Sequence, residues 1–366
     1  MGSLAIQGVR KSLGRTPALN GIDLSLQDGD FCVLIGPPGA GKTTLLRVIA
    51  GLERTDGGTI EMDGEIVDHW APRDRNVAMV FKEDAVFPRL SIYKNIAFGL
   101  RTRRLPRAEI ESRVQRFAGL AGIAEVLNAK AAGVSPELRQ RAAIGRAFVR
   151  DDALCLIDDP FAALDAQPRE AARAQIKRLH AEFPSTKIFA TRDPIEATML
   201  GDRVVLMRAG RIEQEGAPLA LFEKPATRFV AGFFGSPPMN FLPGTLERAE
   251  SVDVIRLSGA GFAIPLPPHR VQKEAANGLS VIVGLRPEHM MRAVRASPGD
   301  GSLRHEAEIE LLQPVGARTY ATFRIGGVPV VAELHAHDAS RPGDRVPIDL
   351  NLKRLALFDA TTERAL

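Results

Sequence analysis

Residues 31–52 read FCVLIGPPGAGKTTLLRVIAGL. A short apolar run feeds a loop with glycine at 36, 39 and 41, and the loop opens a stretch with helical apolar spacing. Within it, GPPGAGKT at 36–43 fits G-x-x-x-x-G-K-[ST], with Gly36, Gly41, Lys42 and Thr43 in the fixed places. In such a loop the backbone amides close around phosphate oxygens, and the positive end of the following helix faces the same anion. The expected phosphate cradle is therefore Gly36, Pro37, Pro38, Gly39, Ala40, Gly41, Lys42, Thr43 and Thr44. Lys42 reaches the terminal phosphates as a point charge, and the Thr43 hydroxyl is suited to ligate Mg²⁺.

The sequence around the loop predicts a largely parallel sheet. NVAMVF (76–81), ALCLID (153–158), KIFAT (187–191) and RVVLMRAGRI (203–212) are short β-rich runs separated by helical stretches. Between 99 and 150 Ala, Arg, Leu and Glu dominate at helical spacing, as in RAEIESRVQRFAGLAGI (107–123), which predicts a helical insert. The chain then breaks at GSPPMNFLPG (235–244), where proline turns mark a linker. Beyond it VDVIRL, SVIVGL, HEAEIELL and VPVVAEL are short strands between Gly and Pro turns, the pattern of a small β-barrel or sandwich.

Several function classes fall away on composition. At 366 residues the chain exceeds one typical core, so two domains are expected. A run of about 18 apolar residues, enough to span a bilayer, is absent. The start, MGSLAIQGVRK, reads as a domain start rather than a leader, and Ile6 stands where a myristoylation signal needs Ser or Thr. Cys32 and Cys155 lie far apart in apolar runs, which predicts buried thiols in a reducing compartment and no metal site there. The densest basic stretch, RTRRLPR (101–107), has no interleaved aromatics, so it reads as a solvated helix face rather than a nucleic-acid surface; partner docking stays open.

In LCLIDDPFAALD (154–165) an apolar strand ends in two carboxylates. Asp158 stands where a phosphate-loop enzyme needs a Mg²⁺ carboxylate.

These stretches together resemble the ATPase subunits of ABC transporters. The phosphate loop, LIDDP, FAALD (161–165) and PIEATMLGDRVVLMRAGRI (194–212) occur in that family's order, and MVFKEDAVFPRLSIYKNIAFGL (79–100) is similar to its glutamine-bearing loop. VSPELRQRAAIGRA (134–147) aligns with the family signature LSGGQ. GLRPEH (284–289) and LALFDATTERAL (355–366) resemble the regulatory β-domain of maltose-type sugar and polyol importers. The resemblance implies an α/β P-loop NTPase (ABC ATPase) domain over 1–234 with a helical subdomain at about 85–150. A linker at 235–243 and a small all-β, OB-like (TOBE-type) regulatory domain over 244–366 follow.

The sequence departs from the family at the chemistry. The Glu that polarises the attacking water is Asp159, one methylene shorter; either the reach fails or a backbone shift restores it. The Mg²⁺-contacting Gln is Lys82, which has no lone pair for a cation and either contacts phosphate or turns to solvent. The switch His is Arg192, which binds phosphate but keeps its proton. Ser135 of the signature remains, but Pro136, Glu137 and Leu138 replace the groups that grip nucleotide across a dimer. The aromatic that stacks on adenine is Leu13.

These changes beside an intact loop imply ATP and Mg²⁺ as ligands, with low intrinsic turnover. The implied partners are a second, non-identical ATPase, transmembrane permease subunits docking near residues 82–110, and indirectly a solute-binding protein. The implied location is the cytoplasmic face of the inner membrane, peripherally. A sugar, polyol or glycerol phosphate is the expected cargo; polyamine, iron or sulfate, or a near-inactive structural subunit, are the alternatives.

Overall fold

The computed structural model describes residues 2–82, 86–150, 154–162, 164–248, 253–258, 262–266, 276–293, 301–336 and 341–366. The chain divides into two compact units, residues 1–219 and 220–366.

The first unit holds two sheets. An antiparallel sheet is built from β1 (Leu4–Leu13), β2 (Thr16–Leu26), β4 (Gly57–Met62) and β5 (Glu65–Ile66), in the order β2-β1-β4-β5. The strand-to-helix alternation read from the sequence does not anticipate it. Its hydrophobic alternation is broken by register shifts between Ile6 and Val9 and again beside Arg10, which erase the period-2 signal.

The second sheet contains β3 (Phe31–Ile35), β6 (Val77–Val80), β7 (Leu154–Asp158), β8 (Lys187–Thr191), β9 (Arg203–Arg208) and β10 (Arg211–Gly216), in the order β10-β9-β3-β8-β7-β6. Its β6, β7, β8, β3 and β9 run parallel, and β3, β7 and β8 are buried along their whole length, as continuous apolar runs require. RVVLMRAGRI is two antiparallel strands rather than one, because Ala209 and Gly210 both take positive φ and reverse the chain. A shared core of leucines, isoleucines and valines from both sheets encloses α1 (Lys42–Ile49).

Three helices form the insert: α2 (Ile92–Thr102), α3 (Arg107–Ala121) and α4 (Pro136–Phe148). Ser91 caps α2 by accepting from the Lys94 amide. Helix α5 (Ala166–Glu182) follows β7, and α6 (Pro194–Leu200) follows β8.

The division between units falls within α7 (Pro218–Glu223), ahead of the 235–243 stretch. After α8 (Arg228–Phe233) the second unit is all β: β11 (Asn240–Glu247), β12 (Val254–Leu257), β13 (Ala263–Pro265), β14 (Ser280–Leu285), β15 (Met290–Arg292), β16 (Ser302–Glu308), β17 (Leu311–Val315), β18 (Arg318–Ile325), β19 (Val328–His335), β20 (Arg345–Asn351) and β21 (Ala356–Asp359). They make three antiparallel sheets, β13-β12-β11-β14-β21, β15-β20-β16 and β17-β18-β19, around one apolar core. Residues 220–234 are stitched to this unit. The Arg228 amide donates to Glu363 O, the Ala365 amide donates to Ala226 O, and Arg286 donates to both Phe222 O and Phe234 O.

Candidate active site

The loop after β3 and the starts of α1 and β2 enclose a cavity of about 570 Å³ with the ends of β7 and β8. Pro38, Gly39, Ala40, Gly41, Lys42, Thr43 and Thr44 line one side; Lys82, Asp158, Asp159 and Arg192 line the other. Leu13 stands at the mouth, half exposed.

Two glycines make the loop possible. Gly36 has φ +155°, and a Cβ there would lie 2.2 Å from Met207 O; Gly41 has φ +103°, and a Cβ would lie 2.5 Å from Ala18 O. Gly36 and Pro37 do not line the cavity wall. Their carbonyls accept from Lys42 Nζ at 2.7 and 3.0 Å and so fix the ammonium on the loop. Burial pushes the Lys42 ammonium below its ordinary range, and the neighbouring Asp159 opposes that shift.

The Thr43 hydroxyl donates to Asp158 Oδ1 at 3.0 Å. Burial raises the Asp158 carboxyl above the usual range, the Thr43 bond opposes it, and the adjacent Asp159 adds to it. A hydroxyl and a carboxylate oxygen brought together in a buried corner are hard donors that suit Mg²⁺.

Asp159 is held rather than presented. Its φ of +43° is unusual for a residue with a side chain, and its amide donates to Ala190 O at 2.8 Å. Its Oδ2 is 3.3 Å from Arg192 Nε and 3.7 Å from Lys82 Nζ. Lys82 is half exposed and faces this carboxylate rather than the loop. One carboxylate oxygen of Asp159 thus pairs with two cations.

Ser135 does not join this cavity. It caps α4, with its Oγ accepting from the Leu138 amide at 3.4 Å. Pro136 opens the helix, and the Glu137 carboxylate pairs with Arg141 one turn on. Thr16, Pro17 and Ala18 line the cavity beside Leu13 and were not singled out by sequence. Their only signal was position, directly after the Leu13 turn.

A second cavity, of about 430 Å³, opens between β6, α2 and α4. Phe81, Phe87 and Phe98 supply apolar wall, and Arg146 and Arg150 supply charge, with Arg146 stacked over the Phe87 ring at 5.5 Å. Phe81 lines this groove and its neighbour Lys82 lines the loop cavity.

Comparison with known proteins gives three family matches. The model described as ABC transporter matches residues 19–162, the MalK OB fold domain matches 235–290, and the TOBE domain matches 283–358. An sn-glycerol-3-phosphate import ATP-binding protein, UgpC, of Ralstonia nicotianae is 37% identical over 100% of this chain and 98% of its own length. A trehalose/maltose import ATP-binding protein, MalK, of Thermococcus litoralis is 37% identical over 100% of both chains. Among solved structures, cbiO1 of Clostridium perfringens, part of the ABC transporter complex cbiONQ, has a TM-score of 0.55 at 25% identity and covers 60% of this chain and 90% of that one. A dimeric ATP-binding cassette in a post-hydrolysis state, bound to ADP and Pi, has a TM-score of 0.52 at 25% identity, covering 59% of this chain and 98% of that one.

Proposed function

The chain belongs to the ABC transporter family, in its branch of import ATP-binding subunits, and from that membership we propose that it binds Mg²⁺–ATP as the weakly hydrolysing member of an ATPase pair. Its cargo is a glycerol phosphate, sugar or polyol, in line with the names its relatives carry. The observation that carries the low turnover is the short side chain of Asp159, held at a φ of +43° at the end of β7, beside an intact phosphate loop.

In this reading the loop amides from Gly39 to Thr44 surround the β-phosphate, and Lys42 leaves its carbonyl partners for the terminal phosphates. Thr43 and Asp158 would hold Mg²⁺, whose charge would offset that of the phosphate oxygens. Leu13, Thr16, Pro17 and Ala18 cover the base without a π-face. The Asp159 carboxylate stands one methylene short of the family's Glu and falls short of the attacking water, so hydrolysis at this loop is slow.

The other half of the proposal concerns α4. In the family the residues at this helix start grip nucleotide bound to the opposing subunit. Here Ser135 is spent on the cap, Pro136 has no N–H, and Glu137 adds negative charge. Two copies of this chain would pair two defective sites, which favours a non-identical partner. The turnover site is then the partner's own loop and base, facing the α4 start of this chain.

The groove of Phe81, Phe87, Phe98 and Arg146 fits a short amphipathic helix from a permease subunit. No described helix is long and apolar enough to cross a membrane, so attachment to the cytoplasmic face is through that partner, and a solute-binding protein acts through the permease. The test is calorimetry with Mg²⁺–ATP and a turnover assay on the same purified chain. Micromolar-range binding with background turnover is expected; brisk turnover by the chain alone would overturn the proposal.

A further inference from the structure

Three charged side chains that the sequence scatters meet on one atom. Arg192 and Lys82 both approach Asp159 Oδ2. The carboxylate is 14% exposed, while Arg192 and Lys82 are 48% and 53% exposed. Among the described residues Asp159 is the one anion within ion-pair distance of either cation.

The backbone beneath this cluster is fixed. The Thr191 hydroxyl donates to the buried Glu196 carboxylate and accepts from the Asp193 amide at 3.0 Å. Asp193 caps α6 through the Ile195 amide at 2.8 Å and lies 3.6 Å from Arg173. Asp159 is tied to β8 by its amide bond to Ala190. Any exchange of partners is therefore made by the long, half-exposed Arg192 and Lys82 side chains, not by a shift of the strand ends.

We propose that Asp159 is a built-in stand-in for the terminal phosphate: Arg192 and Lys82 hold it when the site is empty or contains a nucleoside diphosphate, and a nucleoside triphosphate takes both cations from it. This rests on the nucleotide-binding reading above and concerns how that site tells triphosphate from diphosphate. A diphosphate is satisfied by the loop and Lys42 alone. A third phosphate extends toward the Asp158–Asp159 wall, where it meets like charge and must compete for cations already paired. The internal carboxylate thus reduces the triphosphate's advantage, and the ion-pair exchange reports nucleotide state without hydrolysis.

The test is calorimetric titration of the full-length protein, with Mg²⁺, by ADP and by the non-hydrolysable triphosphate in which an imido group bridges the β- and γ-phosphorus atoms. Asp159→Asn keeps the side-chain volume and removes the charge. It is expected to tighten the triphosphate by about tenfold or more while moving ADP by less than about twofold. Arg192→Gln is expected to weaken the triphosphate by about tenfold and leave ADP unchanged. An unchanged triphosphate-to-diphosphate ratio in Asp159→Asn, with ADP still binding, would overturn the exchange alone. Failure of the wild-type chain to bind ADP at all would overturn the nucleotide reading beneath it. Circular dichroism confirms that each variant is folded, and Asp159→Asn decides the matter if Arg192→Gln is not.

Discussion

Lys187 is a charged side chain with no exposed surface, at the start of β8. Its ammonium donates to Phe183 O, to Ser185 O at 2.8 Å and to Ser185 Oγ at 3.2 Å, and it lies 4.8 Å from the centre of the Phe148 ring. Burial pushes its pKa down to about 8 from an ordinary 10.5. The unfolded chain therefore binds a proton that the folded chain has released between about pH 8 and 10.5, so this residue makes stability rise with pH across that window. The cost of burying the charge is fully present below pH 8. Cys32 and Cys155 act in the opposite sense above pH 9, because burial pushes their thiols up to about 12 and about 11. The clean readout is the difference between wild type and Lys187→Met. Urea unfolding at pH 7.5 and 9.5 should show wild type gaining stability relative to the variant by roughly 2 kcal/mol. A parallel pH dependence of the two proteins would show that Lys187 is not the titrating group. At the phosphate loop, Asp158→Asn removes the carboxylate that Thr43 touches. Chelating Mg²⁺ should weaken triphosphate binding to wild type about tenfold and leave this variant nearly unaffected, as read by titration with and without chelator.

At the scale of elements, Ser135 is the side-chain cap of α4. Its Oγ accepts from the Leu138 amide, so Ser135→Ala should cost about 1 kcal/mol in urea unfolding through loss of the α4 cap. Glu137→Gln, which loses an exposed pair with Arg141, should cost less than about 0.5 kcal/mol. Equal costs would mean that the Ser135 bond does not hold the helix start. What could be read from sequence follows the same division between local and distant causes. The loop at 36–43 and the strand ending at Asp158 are legible because adjacent residues determine them: a buried run, glycines, then a helix. The antiparallel sheet of β1, β2, β4 and β5 is not legible, because bulges scramble the period of its first hairpin and β1 pairs with β4 far along the chain. The contacts of Asp159 are hidden for the same reason. Arg192 and Lys82 reach it only because β6, β7 and β8 lie side by side in the sheet. The sequence places these three charges at separate points of the chain and does not show that they meet.

For the whole molecule, the position of the division between units has a physical cause in Arg286. This guanidinium is 2% exposed, stacks on the Phe222 ring with its carbon 3.6 Å from the ring centre, and donates to Phe222 O and Phe234 O at 2.6 and 2.8 Å. Burial pushes its pKa below the ordinary arginine range, with Glu288 opposing. The segment 220–234 is thus the wall that satisfies a buried cation of the β unit. The Arg228 amide and the Ala226 carbonyl, paired with Glu363 and Ala365, close the chain end onto the same segment. A cut at the proline-rich stretch near 235 would strip Arg286 of both carbonyls and its ring and leave the guanidinium in an apolar setting. Removing the partners of a buried charge costs roughly 3 kcal/mol or more, a large part of the stability of a small β domain. The fragment 218–366, which keeps α7 and α8, should therefore unfold cooperatively in urea. The fragment 235–366 should unfold at a clearly lower midpoint or collapse without a cooperative transition. Arg286→Met in the shorter fragment should recover part of that difference relative to Arg286→Lys, since an apolar side chain of similar reach needs no carbonyl. Equal midpoints for the two fragments would mean that 220–234 rests on the β unit without supporting it, and that the fold boundary lies at the prolines after all.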